Sequence, residues 1–509
     1  MKNDGPTAIT EVVRQPRTVS IGPERQLFLD TMLIDRMERV ARWVHTPTKH
    51  EENPILVAER LWEGSRILYC NVERDTEGEA YKLWYNVVSP LPLSYTPRED
   101  SSNVFEQTPG RSVSRGLCYA VSEDGLHFHR PDLGLVEYEG SRQNNLVVLP
   151  PGGAAEARVF RDTHDPSPEH RYKMVYMGPG GTVGVSVASS PDGFRWNAYE
   201  HNPVIVPTGD ALSTPFWDPR YGRYVYYHRP HVKQWAHVKE PGGYPVRRIG
   251  RAESFDFLSR MWTDLQEVLA PDETDGAGIE FYYMPVLQYE GCYVGFLIVY
   301  HDYTGDPAPA AGFNRTLDVQ LAFSRDGIRW ERVCERQTFL RGTDGDWDEK
   351  RIYPECAIVR DGEVWIYYRG SNIPHIRPGY SAETVGRLVD GREMKGDAIG
   401  VARLRLDGFV SLDAREAEGR VTTWPLSFQG GDELRVNADA AGGSLWVEAL
   451  TAFGEPIEGL TQDDCLPLRR DALNHLIEWR GGKSLKQASQ PLRLRFSMRN
   501  VSLYSFQIF

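Results

Sequence analysis

A short pattern returns along the middle of this chain, and such a period confines the fold to a repeat architecture. Ala120-Val-Ser-Glu-Asp-Gly-Leu-His-Phe128 comes first, then Ala188-Ser-Ser-Pro-Asp-Gly-Phe-Arg-Trp196. Ala252-Glu-Ser-Phe-Asp-Phe257 is next, with Trp262 a little further on, and then Ala322-Phe-Ser-Arg-Asp-Gly-Ile-Arg-Trp330. A degenerate fifth copy is Ala402-Arg-Leu-Arg-Leu-Asp-Gly-Phe409. The aspartates at 124, 192, 256, 326 and 407 lie 68, 64, 70 and 81 residues apart. In the three full copies a strand ends in Ala-x-Ser, Asp-Gly turns the chain with glycine supplying positive φ, and an aromatic opens the next strand. The pattern therefore marks a structural hairpin, not a catalytic one.

Two further strand-like runs precede each copy. They are 66–72 with 82–87, 157–160 with 172–177, 214–217 with 224–228, 281–288 with 293–300, and 357–359 with 364–368. With the two strands around Asp-Gly this makes about four strands per repeat, the size of a propeller blade. Helical periodicity of useful length is missing. The expected fold is all-β: a five-bladed β-propeller over 27–410, followed by a C-terminal β-sandwich over 411–509. Residues 1–26 read as a leader, and Leu27-Phe-Leu-Asp30 with Leu33-Ile-Asp35 read as part of the closing blade.

Charge and composition narrow the function. The formal net charge is −13, which argues against a nucleic-acid partner, whose binding needs clustered Lys and Arg. The 13 Trp and 25 Tyr suit packed sheets, and they also suit sites where a flat ring covers a sugar face. The cysteines, at 70, 118, 292, 334, 356 and 465, form no CxxC pair, so zinc is not expected. No apolar run long enough to span a bilayer is present, and the first 17 residues carry no apolar signal core. A soluble, cytoplasmic protein without membrane contact is expected.

The repeat also sets the phase of a site. A propeller's innermost strands start at one face around the axis, and each second strand returns to that face. An axial site therefore draws on residues just before the first strands and just after the second. The first group holds Trp62-Glu63, Glu156, Asp210, Glu280 and Arg351-Ile-Tyr-Pro-Glu355. The second holds Asn86, Met177-Gly178, His228-Arg229-Pro-His231, His301-Asp302 and Arg369-Gly-Ser-Asn372, with His375 nearby. Carboxylates around one pocket suit glycoside hydrolysis, which needs one protonated acid and one ionised base or nucleophile. Crowding them raises at least one pKa. Glu63, Asp210 and Glu280 are the expected catalytic acids. Trp62, Asn86, Glu156, His228, Arg229, His231, His301, Glu355, Arg369 and Asn372 are the expected substrate-binding residues. The plain alternative for each acid is a loop cap or an arginine pair. No Walker loop, Rossmann fingerprint or GxSxG elbow stands out.

The chain resembles the fructosidase-like and arabinanase-like five-bladed glycoside hydrolases (families 32, 43, 68 and relatives) over about residues 25–509. The resemblance is carried by Asn53-Pro-Ile-Leu56, Trp62-Glu63, Tyr81-Lys-Leu-Trp-Tyr85, the Ser-x-Asp-Gly hairpins, Asn144-Asn145, Arg171-Tyr-Lys-Met174 and Tyr504-Ser-Phe506. These are mostly scaffold features. The family's catalytic motifs depart here: blade one has Trp62-Glu63-Gly64, Arg161-Asp162 is followed by Thr163, and Pro354-Glu355-Cys356 is reordered and lies in blade five. No catalytic triad carries over. The Asp-Gly turns also resemble sialidase Asp boxes, but five repeats and no arginine triad rank that second.

What the resemblance implies is a glycosidase acting on a small glycoside or oligosaccharide, such as a fructoside or arabinoside. A phosphorylase or transglycosylase would use the same pocket, and a non-catalytic carbohydrate-binding propeller is the third reading. No cofactor is expected; the resemblance admits an axial calcium, although no Ca-loop signature is present. The expected partner is a small carbohydrate. The oligomeric state is open, a homo-oligomer included.

Overall fold

The computed structural model describes residues 17–509 except 65, 76–79, 90–113, 151–152, 179–183, 207, 210, 231–245, 277, 302–315, 376–387, 390–391 and 394–395. Its strands are joined by turns and short 3-10 segments, without an α-helix among the described residues. No helix there is long and apolar enough to cross a membrane. The chain divides into two compact units: 45–406, and the described part of 1–44 with 407–509.

Within 45–406, five antiparallel segments succeed one another. Ile67–Arg74, Tyr81–Ser89 and Ser114–Ser122 form the first. Ala155–Arg161, Tyr172–Met177, Val185–Ser190 and Asn197–Ala198 form the second, and Phe216–Asp218, Arg223–His228, Ile249–Ser254 and Gln266–Leu269 the third. In the fourth, Ile279–Phe281 and Val286–Tyr289 both pair with Cys292–His301, which pairs in turn with Thr316–Ser324. The fifth is Arg351–Arg360, Glu363–Ser371 and Ala398–Arg405. A parallel bridge between Leu317 and Arg351 joins the fourth to the fifth.

Middle strands such as Cys292–His301 are buried almost throughout. They are covered on both faces, so they read as continuous apolar runs and not as alternating ones. Trp84 and Tyr119 of the first segment pack with Val159, Tyr172 and Met174 of the second. Similar clusters join the second to the third and the third to the fourth. Leu83 and Tyr85 of the first pack with Trp365, Tyr367 and Val401 of the fifth, so the order closes on itself.

The repeated turns show why their residues recur. Gly125 N–H donates to Ser122 Oγ at 2.9 Å, and Leu126 and His127 N–H donate to Asp124 Oδ1 at 2.8 and 2.9 Å. The same three bonds form at Ser190-Asp192 and at Ser324-Asp326. An aromatic from the neighbouring segment then donates to each turn-glycine carbonyl: Trp84 to Gly193, Tyr227 to Gly327 and Tyr367 to Gly125.

The fifth copy differs from expectation. Asp407 begins the other unit, where it is fully buried and accepts from Arg25, Asn437 and Ser505. The strand after it, Val410–Ala414, pairs with Val501–Ile508 and Ala41–Val44. The outer strand of the fifth segment is supplied from far upstream by Thr48–Lys49, which pairs with Ala402 and Arg403.

Residues 27–35 also differ from expectation. They do not join a closing blade: Gln26–Leu27 pairs with Val501–Ile508, and Ile34–Glu38 pairs with Gly419–Thr423. Order begins earlier than the expected leader boundary, because Val19–Ile21 pairs in parallel with Leu426–Phe428. The reason is apolar surface: Val19, Ile21, Phe28, Leu33 and Ile34 join one core with Leu412, Val447, Phe496 and Phe506. That core takes side chains from two six-stranded sheets.

Candidate active site

The first strands of three segments are interrupted at one residue each, and each interruption turns a side chain off the regular alternation. The register between Ile67–Arg74 and its neighbour shifts between Leu68 and Cys70, leaving Tyr69 out of the ladder with φ of 25°. The second segment is irregular opposite Val175 to Met177, where Glu156 has φ of 55°. In the fifth, the shift between Pro354 and Cys356 leaves out Glu355. Bulges re-aim side chains and are frequent beside functional sites.

These residues share a network. Glu355 is fully buried, 2.5 Å from Arg158 Nη2, and Arg369 Nε donates to its other oxygen at 3.2 Å. Arg158 also donates to the carbonyls of Cys70 and Leu212, tying the first three segments together. The Tyr69 ring lies 4.6 Å from the Arg158 guanidinium and 5.1 Å from that of Arg369. Arg369 also covers Tyr353 at 4.0 Å. Asp397 sits 3.2 Å from Arg351, 3.0 Å from Arg66 and 3.6 Å from Arg369. Burial alone raises its pKa, but these three arginines outweigh it and hold the carboxyl at about 2.

Glu156 is the acid whose surroundings differ most from a scaffold pair. Its Oε2 is out of solvent contact and, among the described residues, has no hydrogen-bond partner. Burial pushes its pKa up, against the lowering charges of Arg115, Arg229 and Arg369. Arg229 is itself held below the usual arginine range, first by burial and then by the charge of Arg247. Glu280, in Ile279–Phe281, lies 2.5 Å from Arg247. Tyr282 lies under both guanidiniums, 5.0 Å from Arg229 and 5.9 Å from Arg247. His375 contacts the Tyr353 hydroxyl and the Tyr282 ring. Burial, then Arg351, Arg247, Arg229 and Arg369, hold it well below the usual histidine range.

The other expected residues divide. His228 is buried and stacked on Tyr226, and burial holds it at about 4. His301 contacts Asp318 at 2.9 Å and lies across the ladder from Ile279, beside Glu280. Asn372 is half-buried just after Glu363–Ser371. Asp210 and His231 lie outside the described residues.

Glu63 and Trp62 stand apart from this network, and Asn86 meets it only through backbone groups. Both Glu63 oxygens are taken: Tyr85 and Arg130 donate to Oε1 at 2.6 and 2.7 Å, and the Glu59 and Arg60 amides donate to Oε2. Its side chain is fully buried, so it serves a 3-10 turn and not an open pocket. Trp62 donates to Asn145 and packs edge-on against Tyr138. Asn86 donates to the Tyr69 and Ala157 carbonyls and accepts from the Ala157 amide, stitching the first segment to the second.

Sequence reasoning missed Tyr69, Arg158, Arg247 and Asp397. Asp397 was reachable, since it immediately precedes Ala398–Arg405. Tyr69 and Arg158 sit inside strands, and without the bulge nothing local distinguishes them. Beyond Glu355, a cavity of about 420 Å³ is lined from all five segments, by Asn71, Phe160, Phe216, Val286 and Ala357 among others. Glu73 also lines it; burial pushes its pKa up to about 7, against hydrogen bonds from Asn71 and the Arg161 amide.

The axial calcium does not fit the residues present. Glu355 and Asp397, the buried carboxylates of the network, already carry four guanidiniums between them. No cluster of three metal-ligating side chains occurs among the described residues.

No protein-family model matches the chain, and no curated protein does. The solved structures similar to it include carbohydrate-active enzymes, with families 32 and 43 among them. A β-1,2-mannobiose phosphorylase from Listeria innocua is 14% identical, covering 71% of this chain and 97% of that one, with a TM-score of 0.45. A family-32 β-fructofuranosidase from Bombyx mori is 10% identical over 92% of this chain and 94% of that one, with a TM-score of 0.41. A thermostable family-43 glycoside hydrolase is 14% identical over 72% and 96%, with a TM-score of 0.38.

Proposed function

We propose that residues 45–406 form a five-bladed β-propeller, that 17–44 with 407–509 form a β-sandwich, and that the axial network cleaves a glycosidic bond in a small carbohydrate. One observation carries the activity: Glu156 presents a buried, unpartnered Oε2 beside Arg115, Arg229 and Arg369. A buried carboxyl whose pKa is pushed up is suited to general-acid work. It gives its proton to the glycosidic oxygen as the C–O bond breaks. An acceptor oxygen then bonds the anomeric carbon and loses its own proton to a second carboxylate. Glu280 is proposed for that place, with Asp210, which lies outside the described residues, as the alternative from the repeat phase. Half-buried Tyr282 offers a ring to a sugar face, and Arg229 and Arg369 offer donors to its hydroxyls.

The acceptor has two readings. Water makes the protein a glycoside hydrolase, and a furanoside suits the resemblance. The neighbouring guanidiniums of Arg229 and Arg247 favour an anionic acceptor, which makes it a phosphorylase.

A panel of aryl glycosides and disaccharides, with and without inorganic phosphate, tests both. Glu156→Gln is expected to lower kcat by about 10²–10⁴-fold, and less on aryl glycosides whose leaving group needs no proton. Glu63→Gln is expected to lower stability with less effect on kcat. Full activity in Glu156→Gln would sink the assignment, and turnover indifferent to phosphate would remove the phosphorylase reading.

A further inference from the structure

His375 stands beside a cluster of tyrosines. Its ring makes T-shaped contacts with Tyr282 at 4.9 Å and Tyr300 at 5.3 Å, and its Nδ1 lies 3.3 Å from the Tyr353 hydroxyl. The Tyr282 and Tyr300 rings also carry the Arg247 guanidinium, at 5.9 and 5.4 Å, and Arg247 reaches Glu280 at 2.5 Å. An imidazole, a guanidinium, a carboxylate and an aromatic ring therefore meet in one place. His375, Arg247, Glu280 and Tyr282 are each half-buried, whereas Tyr300 and Tyr353 are buried.

Tyr353 decides which nitrogen of His375 carries the proton. Its ring lies under the Arg369 guanidinium at 4.0 Å, and Glu355 holds that guanidinium at 3.2 Å. A buried hydroxyl left without an acceptor is costly. Among the described residues, the acceptor in reach of this one is His375 Nδ1. Accepting there leaves the imidazole proton on Nε2. Burial first, then the charges of Arg351, Arg247, Arg229 and Arg369, hold the ring well below the usual histidine range, so it gains no second proton near neutrality. With Nδ1 occupied, the half-buried ring offers a neutral N–H.

We infer that His375 is a substrate-binding residue, fixed by Tyr353 with its proton on Nε2, and that this N–H donates to a hydroxyl of a sugar seated on the Tyr282 ring. The inference rests on the reading of the axial network as a carbohydrate site, and it names a specificity-determining contact within that site. Glu280 as a carboxylate only accepts and Arg247 only donates, whereas a sugar hydroxyl does both. A neutral N–H adds a donor without adding a charge, so it selects a hydroxyl by position and not an anion by attraction. A sugar lacking that hydroxyl leaves the donor unmet and is rejected for it.

Three variants separate the roles. His375→Phe keeps a ring among the tyrosines and removes the N–H. His375→Gln restores a neutral donor. Tyr353→Phe removes the hydroxyl and keeps the ring under Arg369. With the aryl glycoside that the parent turns over fastest, His375→Phe is expected to raise KM about tenfold and to leave kcat within about threefold, and His375→Gln to recover most of that KM. Monodeoxy analogues of the same glycoside locate the contact: one of them is expected to cost the parent about tenfold in kcat/KM and to cost His375→Phe nothing. Equal losses in parent and variant at every position would overturn the binding role. A readout without turnover is the long-range ¹H–¹⁵N spectrum of histidine-labelled full-length protein, with His375 identified by its absence in His375→Phe. At about pH 7, Nδ1 is expected as the unprotonated nitrogen and Nε2 as the protonated one. A proton on Nδ1, or on both nitrogens, would overturn the assignment. Tyr353→Phe is expected to weaken the preference, and an unchanged preference would overturn the part given to Tyr353. The Nε2 resonance is expected to shift when aryl glycosides are added. If no glycoside were cleaved, the catalytic reading would fall, and this shift would still decide the contact; no shift with any glycoside of the panel would overturn it.

Discussion

Among the acids of this chain, neighbours decide chemistry more than sequence position does. Glu63 has four donors and sits in a scaffold turn, whereas Glu156 Oε2 is out of solvent contact with no hydrogen-bond partner among the described residues. Glu73 is a third case: a carboxyl on the axial cavity with a neutral hydrogen-bond donor, pushed up to about 7. Its folded-state value lies above its unfolded one, so the protonated form contributes stability in full below about pH 4.5, lost as pH rises through 7. Glu73→Gln is therefore expected to gain up to about 3 kcal/mol over the parent at pH 8 and little at pH 4.5. Urea unfolding at the two pH values checks this; an equal gap between parent and variant at both would refute it. His228 works in the opposite sense. Buried neutral at about 4, it contributes stability in full above pH 6.5, lost as pH falls toward 4.

At the scale of elements, the recurring Asp-Gly turn has two duties. Serine and aspartate side chains close it locally, and its glycine receives an aromatic donor from the neighbouring segment. Gly193 shows both constraints: its φ is 79°, and an added Cβ would meet Trp84 at 2.8 Å. Gly222 has φ of 63° and open space around the same position. Gly222→Ala is expected to cost about 1–2 kcal/mol for the left-handed backbone alone. Gly193→Ala is expected to cost a further 1–3 kcal/mol, roughly, because Trp84 must move. Thermal unfolding of the pair compares them directly, and equal losses would show that the aromatic stitch carries no energy. The same comparison does not exist for the bulges. At Tyr69, Glu156 and Glu355 the ladder itself is interrupted, and the gain is where the side chain goes.

At the scale of the molecule, one unit is continuous over 45–406, and the other is built from both sides of it, by 407–509 and the described part of 1–44. Thr48–Lys49 completes the fifth segment from far upstream of the strand it joins. Val19–Ile21, Gln26–Leu27, Ile34–Glu38 and Ala41–Val44 are four of the twelve strands around the core shared with 407–509. Removing residues 1–44 would strip both sheets of strands and expose Leu412, Val447 and Phe496. Such a truncation is expected to abolish soluble expression or to leave 407–509 open to limited proteolysis. A soluble product resisting protease over 407–509 would contradict the pairing.

The amino-acid sequence determined the repeat, the all-β class, the turn chemistry and most strand positions, because these arise from local φ preferences and apolar runs. The strands read at 172–177 and 434–437 fall where the structure has Tyr172–Met177 and Leu434–Asp439. It also singled out Glu355 with Arg369, which the structure pairs, and Arg229 with Glu280, which it sets near Arg247, since the phase of a repeat is periodic. Tertiary structure alone decided the rest. A bulge adds one residue to a strand and exchanges its faces, so Tyr69 and Glu156 could not be aimed from the pattern. Whether an acid is satisfied or left open depends on partners as distant as Glu63 and Arg130, and no local rule counts them. Asp407-Gly408 looked like the other three Asp-Gly turns, yet the strand it opens lies beside Ala41–Val44. A turn motif fixes its own hydrogen bonds, but its outgoing strand pairs with whatever the whole chain brings alongside.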